Sequence, residues 1–233
     1  MQNDIDETFI NHFTHQQQSD IVRLCVLYDY GGIWIDITSV ITENLSWVVE
    51  KFNKGYDQVG FYINYPFTNC SEKTKYLRES WFIAVKNPHN YIILQWKQAF
   101  LRILNESIQN NGIINSKTWK ETNKKSIPFF MRTYLSIHVA NLWCIQYDKK
   151  YRKMYNKTVY LYNANTTALP GPTSKSTLLS ALSKGYGYNS NFHLIKFTSL
   201  DRKILHCLTN VTLFNSFLNN EFKIVLQKYL DYK

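Results

Sequence analysis

The chain has 233 residues, 45% hydrophobic and 19% charged, a globular composition that argues against disorder or a coiled coil. Lys and Arg number 27 against 17 Asp and Glu, a net charge of +10, which favours anionic partners: nucleotide or phosphate groups, nucleic acid, or an acidic membrane face. No run of about 18 apolar residues occurs, which excludes a transmembrane helix, and the polar opening residues lack the apolar stretch of a secretory signal.

Residues 1–18 read as a polar segment. Ser19 reads as a helix N-cap, with Asp20 in the first turn where a carboxylate suits the helix dipole. Ile21, Leu24, Cys25 and Tyr28 recur at helical spacing on one apolar face, and Gly31 and Gly32 stop that helix. Residues 33–37 follow as a short β-branched and aromatic strand, in which Trp34 reads as core. Residues 59–63 form a second strand. Pro88 opens a long helix carrying Ile92, Trp96, Ala99, Ile103 and Leu104, ended by Gly112. Pro128 opens another through Phe130, Tyr134, Ile137 and His138. Strands follow at 159–162 and 192–197, separated by a loop containing Pro170, Gly171 and Pro172, with Lys175 as a candidate phosphate contact. Helical patterns at 202–208 and 220–230 close the chain. Strands alternating with helices predict an α/β fold. The four cysteines, Cys25, Cys70, Cys144 and Cys207, form no CxxC and no cluster with histidine, so neither a zinc site nor a redox motif is expected.

One segment carries chemistry: Ser19-Asp20-Ile21-Val22-Arg23, then Leu27-Tyr28-Asp29-Tyr30-Gly31-Gly32-Ile33-Trp34-Ile35-Asp36-Ile37-Thr38. A helix, a Gly-Gly turn and a short strand would deliver Asp36 at the strand's carboxyl end, where ligands sit in open α/β sheets. Asp20 and Arg23, three residues apart on one helix face, can grip hydroxyls and phosphate respectively. The segment resembles the DXD-type glycosyltransferases. It looks closest to their capsular polysaccharide synthesis branch, and is also similar to clostridial toxin glucosyltransferase domains and yeast initiating mannosyltransferases. A looser echo continues through Glu79-Ser80-Trp81-Phe82-Ile83-Ala84.

The resemblance implies a GT-A-like nucleotide-sugar-binding fold over residues 1–233. Residues 19–110 would be the motif-bearing core and 111–233 an acceptor-side part. It implies that Asp20, Arg23 and Asp36 bind the donor, and that Asp36 is the catalytic first acid of the motif. Trp81 is a candidate to stack on a sugar or base, against the plainer reading of a tryptophan in an apolar run as packing. Asp36 would also be a ligand for Mn²⁺ or Mg²⁺. Thr38 stands at the second metal-ligating position, where a hydroxyl serves a hard cation less well than a carboxylate. Family members begin with a strand of the type P-K-x-I-W, and none precedes Ser19. An open sheet edge or groove is therefore expected beside a central strand at 33–37.

The expected function is transfer of a sugar from a nucleotide-diphosphate donor to a glycan or lipid-linked acceptor. The setting expected is cytoplasmic, with peripheral membrane contact. A retaining mechanism needs no dedicated side-chain base, whereas an inverting one would call on a carboxylate or on His138. The alternatives are a degenerate or truncated transferase acting as a binding protein, and a basic nucleic-acid-binding protein. The second is disfavoured because the basic residues form no recognisable nucleic-acid-binding motif.

Overall fold

The computed structural model describes residues 7–41, 43–63, 77–123, 135–164, 168–169 and 194–196. The backbone groups into two compact units. The first is Met1–Asp36 with Leu45–Asn163, and the second is Ile37–Asn44 with Ala164–Lys233. Unit one carries helices α1 (Glu7–Ile10), α2 (His15–Tyr30), α3 (Ser46–Asn53), α4 (Tyr91–Gln109), α5 (Lys117–Glu121), α6 (Ser136–Tyr147) and α7 (Lys149–Thr158). Its strands are β1 (Gly32–Ile35), β3 (Gln58–Ile63), β4 (Leu77–Val85) and β5 (Val159–Asn163). Unit two carries β2 (Ser39–Ile41), β6 (Ala168–Leu169) and β7 (Leu194–Lys196).

Helix α2 begins earlier than expected. Thr14, not Ser19, caps it: the Thr14 hydroxyl accepts from Gln17 N, and the Gln17 side chain accepts from Thr14 N. This reciprocal pair satisfies two otherwise orphaned donors. Helix therefore runs through the His-Gln stretch, and Asp20 falls in the second turn rather than the first. Ile21, Leu24 and Leu27 are buried as α2 packs on α4 and α6, each burial contributing roughly 1.5–3 kcal/mol.

Gly31 ends α2 with φ 66° and ψ −146°, a backbone that only glycine adopts readily. It is also boxed in, since a Cβ there would lie 3.1–3.2 Å from backbone atoms of Val85, Asn87 and Pro88. β1 leaves this turn and ends at Ile35, so Asp36 sits just past the strand's carboxyl end. Its N–H donates to the Trp81 carbonyl at 2.8 Å.

The sheet of unit one has strand order β1-β4-β3-β5. β4 is antiparallel to both β1 and β3, and β5 returns parallel to β3. The α/β class expected from the sequence is what the chain adopts: a four-stranded mixed sheet with helices packed against it. The central placement expected for the 33–37 strand is corrected. β1 stands at the end of the order, and among the described residues its other edge carries no further strand.

Aromatic side chains fill one side of the core. Trp47 of α3 packs against Phe61, Phe82 and Tyr162. Arg78 of β4 is fully buried, its Nη1 donating to Gln58 Oε1 at 2.5 Å and its guanidinium lying 5.1 Å from the Trp96 ring of α4. A Cβ at Gly60 would come within 3.3 Å of Arg78 Nε, so glycine there leaves the guanidinium its room. Gln58 in turn donates to Asn90 Oδ1. That oxygen also accepts from Ile92 N and Ile93 N, which makes Asn90, and not Pro88, the residue that opens α4. The helix stops at Gln109, three residues before Gly112. Trp96 Nε1 donates to the Ile137 carbonyl at 2.7 Å, tying α4 to α6.

In unit two, β7 pairs antiparallel with β2 and parallel with β6, so a strand lies within the stretch 192–197. The helix start at Pro128, the Pro170–Pro172 loop, Lys175 and the helices at 202–208 and 220–230 lie outside the described residues.

Candidate functional site

Three side chains expected to act together do meet in unit one. α2 presents Asp20 and Arg23 one turn apart, and the glycine turn folds the chain back so that Asp36 arrives beside them. Arg23 Nη1 lies 2.8 Å from Asp20 Oδ1, and Arg23 Nη2 donates to Asp36 Oδ1 at 3.0 Å. One guanidinium is thus shared by two carboxylates from different elements. Asp20 and Arg23 are 2% and 4% exposed, while the Asp36 side chain keeps 27% of its surface. The site opens at Asp36.

Trp34 belongs to this site, which the sequence reading missed. Its Nε1 donates to Asp36 Oδ1 at 3.0 Å, and the Arg23 guanidinium packs over its ring at 5.0 Å. The signal was available, because residues two apart along a strand face the same way.

Burial sets the electrostatics. Loss of solvent pushes the Asp20 carboxyl up to about 7, against the lowering pull of Arg23 and with a further push from Asp36. Loss of solvent lowers His138 to about 3, and the nearby Arg23 charge adds to that. Among the described residues, Asp20 Oδ2, Arg23 Nε and both ring nitrogens of His138 are buried without a hydrogen-bond partner. Buried polar atoms are ordinarily satisfied, and these are exceptions gathered around one guanidinium.

His138, the candidate base of an inverting mechanism, lies in α6, 3% exposed and held near 3 by loss of solvent and the Arg23 charge. Trp81, read as either packing or a donor-stacking residue, is buried, with its ring stacked on Phe61 at 4.9 Å. Its tie to the site is the backbone carbonyl that holds Asp36. Thr38 lies in unit two, where its hydroxyl accepts from the Lys196 ammonium, so a cation already occupies the neighbourhood of that oxygen. Among the described residues no group of three His, Cys, Asp or Glu could hold a metal ion. Asp36 Oδ1 already takes Arg23 and Trp34. A Mg²⁺ ion held by one or two carboxylates, water and substrate phosphate would draw on Asp36, whose side chain keeps exposed surface.

No helix among the described residues is long and apolar enough to cross a membrane. No curated protein and no solved structure matches the chain. A family model described as capsular polysaccharide synthesis protein matches residues 2–171. That span takes in Asp20, Arg23, Trp34, Asp36, Trp81 and His138. Matched over most of its length, the chain belongs to the capsular polysaccharide synthesis protein family.

Proposed function

We propose that the protein is a glycosyltransferase with a GT-A-like fold. It would move a sugar from a nucleotide-diphosphate donor to a glycan or lipid-linked acceptor during capsular polysaccharide synthesis. The observation that carries this reading is the single Arg23 guanidinium bridging Asp20 and Asp36 just past the carboxyl end of β1. As the sugar leaves, negative charge builds on the diphosphate, and a preorganised cation is the usual means of stabilising it. Arg23 supplies that charge, already oriented by two carboxylates and the Trp34 ring. Asp20 Oδ2, buried and without a partner, accepts a sugar hydroxyl. Asp36, the most open of the three, faces the reacting end of the donor. No step is assigned to a divalent cation.

The test is titration of the wild type, Arg23→Ala and Asp36→Ala with labelled nucleotide sugars, with and without Mn²⁺, alongside thermal melts. The wild type should bind and cleave a donor. Arg23→Ala should weaken binding by about 1.5–3 kcal/mol, the range of a charge-assisted hydrogen bond, and Asp36→Ala should abolish turnover. Donor bound by the wild type without cleavage would favour the binding-protein reading. Unchanged affinity in both variants would remove the site assignment.

A further inference from the structure

Helix α7 carries Lys149, Lys150, Arg152, Lys153 and Lys157 within ten residues and no acidic residue. Tyr151 and Tyr155 are buried and turn the opposite side outward. Lys149, Lys153 and Lys157 recur every fourth residue, and Lys150 flanks them. At 3.6 residues per turn the four lysines share an arc of about 100°, and all four are exposed. By contrast, Lys54 and Lys117 each pair with a glutamate one turn away, Glu50 and Glu121. On α7 none of the four pairs with a carboxylate among the described residues. Of the acids at the ends of the helix, Asp148 is engaged as its cap by Tyr151 N and by the Tyr91 hydroxyl. Asp57 meets the helix only through its N–H, which donates to the Thr158 carbonyl. Like charges one turn apart repel and weaken a helix, so the face is maintained at a cost that an anionic partner would offset.

We propose that the lysine face of α7 docks the protein on the anionic phospholipid surface of a bilayer. The face is a row of compact ammonium groups along one side of a helix. A planar, laterally mobile array of phosphates can place one anion against each lysine, whereas a single polyanionic chain needs a track to follow. Nucleic acid fits less well, because the α7 tyrosines that could stack on bases, Tyr151 and Tyr155, are buried and Lys150 covers the Tyr91 ring at 4.3 Å. None of these lysines belongs to the Asp20–Arg23–Asp36 site, so the docking stands apart from the transferase reading.

Sedimentation with phosphatidylcholine vesicles, with and without phosphatidylglycerol, tests it. The wild type should bind only the anionic vesicles, and added salt should release it. Lys153→Gln with Lys157→Gln should lower partitioning on the order of thirtyfold, from about fivefold per lysine. Lys153→Arg with Lys157→Arg should retain binding. All of these variants should melt and bind donor as the wild type does. Neutralising Lys54 and Lys120 instead removes the same charge off the helix and should leave binding intact. Failure of the wild type to bind anionic vesicles would overturn the proposal, as would an equal loss in the Lys54/Lys120 variant. Tighter, lysine-dependent binding of RNA or a soluble acidic polysaccharide than of vesicles would overturn it too.

Discussion

Asp20 and His138 oppose each other in the pH dependence of stability. Asp20 titrates near 3.8 when unfolded and about 7 when folded. Between those values the native state holds a proton that the unfolded chain has lost, so stability falls as pH rises through the window. His138 goes from 6.5 to about 3. Its neutral burial contributes stability that is fully present above 6.5 and is lost as pH falls toward 3. Each slope is about 1.4 kcal/mol per pH unit, and over the shared interval they offset one another. Asp20→Asn should therefore expose the histidine slope, losing stability on acidification faster than the wild type. His138→Gln should expose the aspartate slope, losing stability as pH rises toward 7. Urea midpoints across this range check both, and an Asp20→Asn curve parallel to the wild type would show that Asp20 titrates as an ordinary carboxylate.

At the scale of elements, the connection between α2 and β1 sets where Asp36 lies. Gly32 has φ 84° with open space around its α-carbon, whereas Gly31 has both φ 66° and backbone neighbours at 3.1–3.2 Å. Gly32→Ala should cost about 1–2 kcal/mol, the strain of a left-handed residue. Gly31→Ala should cost more, because Val85 to Pro88 must also shift, and it should weaken donor binding by displacing Asp36. Thermal melts paired with donor titration separate the two effects. This turn was legible in the sequence, since two adjacent glycines between a helical and a strand pattern admit few other readings. The start of α2 was not. The reciprocal cap of Thr14 and Gln17 competed with a plausible Ser19, and local pattern alone cannot rank two chemically competent caps. Pro88 misled for the same reason, with Asn90 two residues on winning through three hydrogen bonds.

For the molecule as a whole, the α/β class and the meeting of Asp20, Arg23 and Asp36 could be read from periodicity and motif. Strand order could not, because the edge position of β1 depends on which long-range pairings β4 makes. Arg78 illustrates the limit. Nothing local marks it as a core residue, yet it is fully buried, and its Nε and Nη2 have no hydrogen-bond partner. A buried cation without a carboxylate is a poor stabiliser, and apolar replacements of similar volume often hold or improve stability. Arg78→Met should melt within about 1 kcal/mol of the wild type or above it, while Arg78→Ala should lose about 2–5 kcal/mol to the cavity. A Met variant as damaged as the Ala variant would mean that the charge itself organises the core.

Counted as charge, Asp20, Arg23 and Asp36 total −1 when Asp20 is ionised and zero when it holds its proton, with His138 neutral beside them. An incoming diphosphate meets less repulsion from the neutral trio. On the proposed reading, with Asp20 poised at about 7, the donor and the proton would be coupled ligands, each raising the affinity for the other. Donor binding near neutrality should therefore draw protons from the medium, an uptake that calorimetry in buffers of different ionisation enthalpy reads directly. The same carboxylate that orients Arg23 would make the site a receptor for an anion and a proton together.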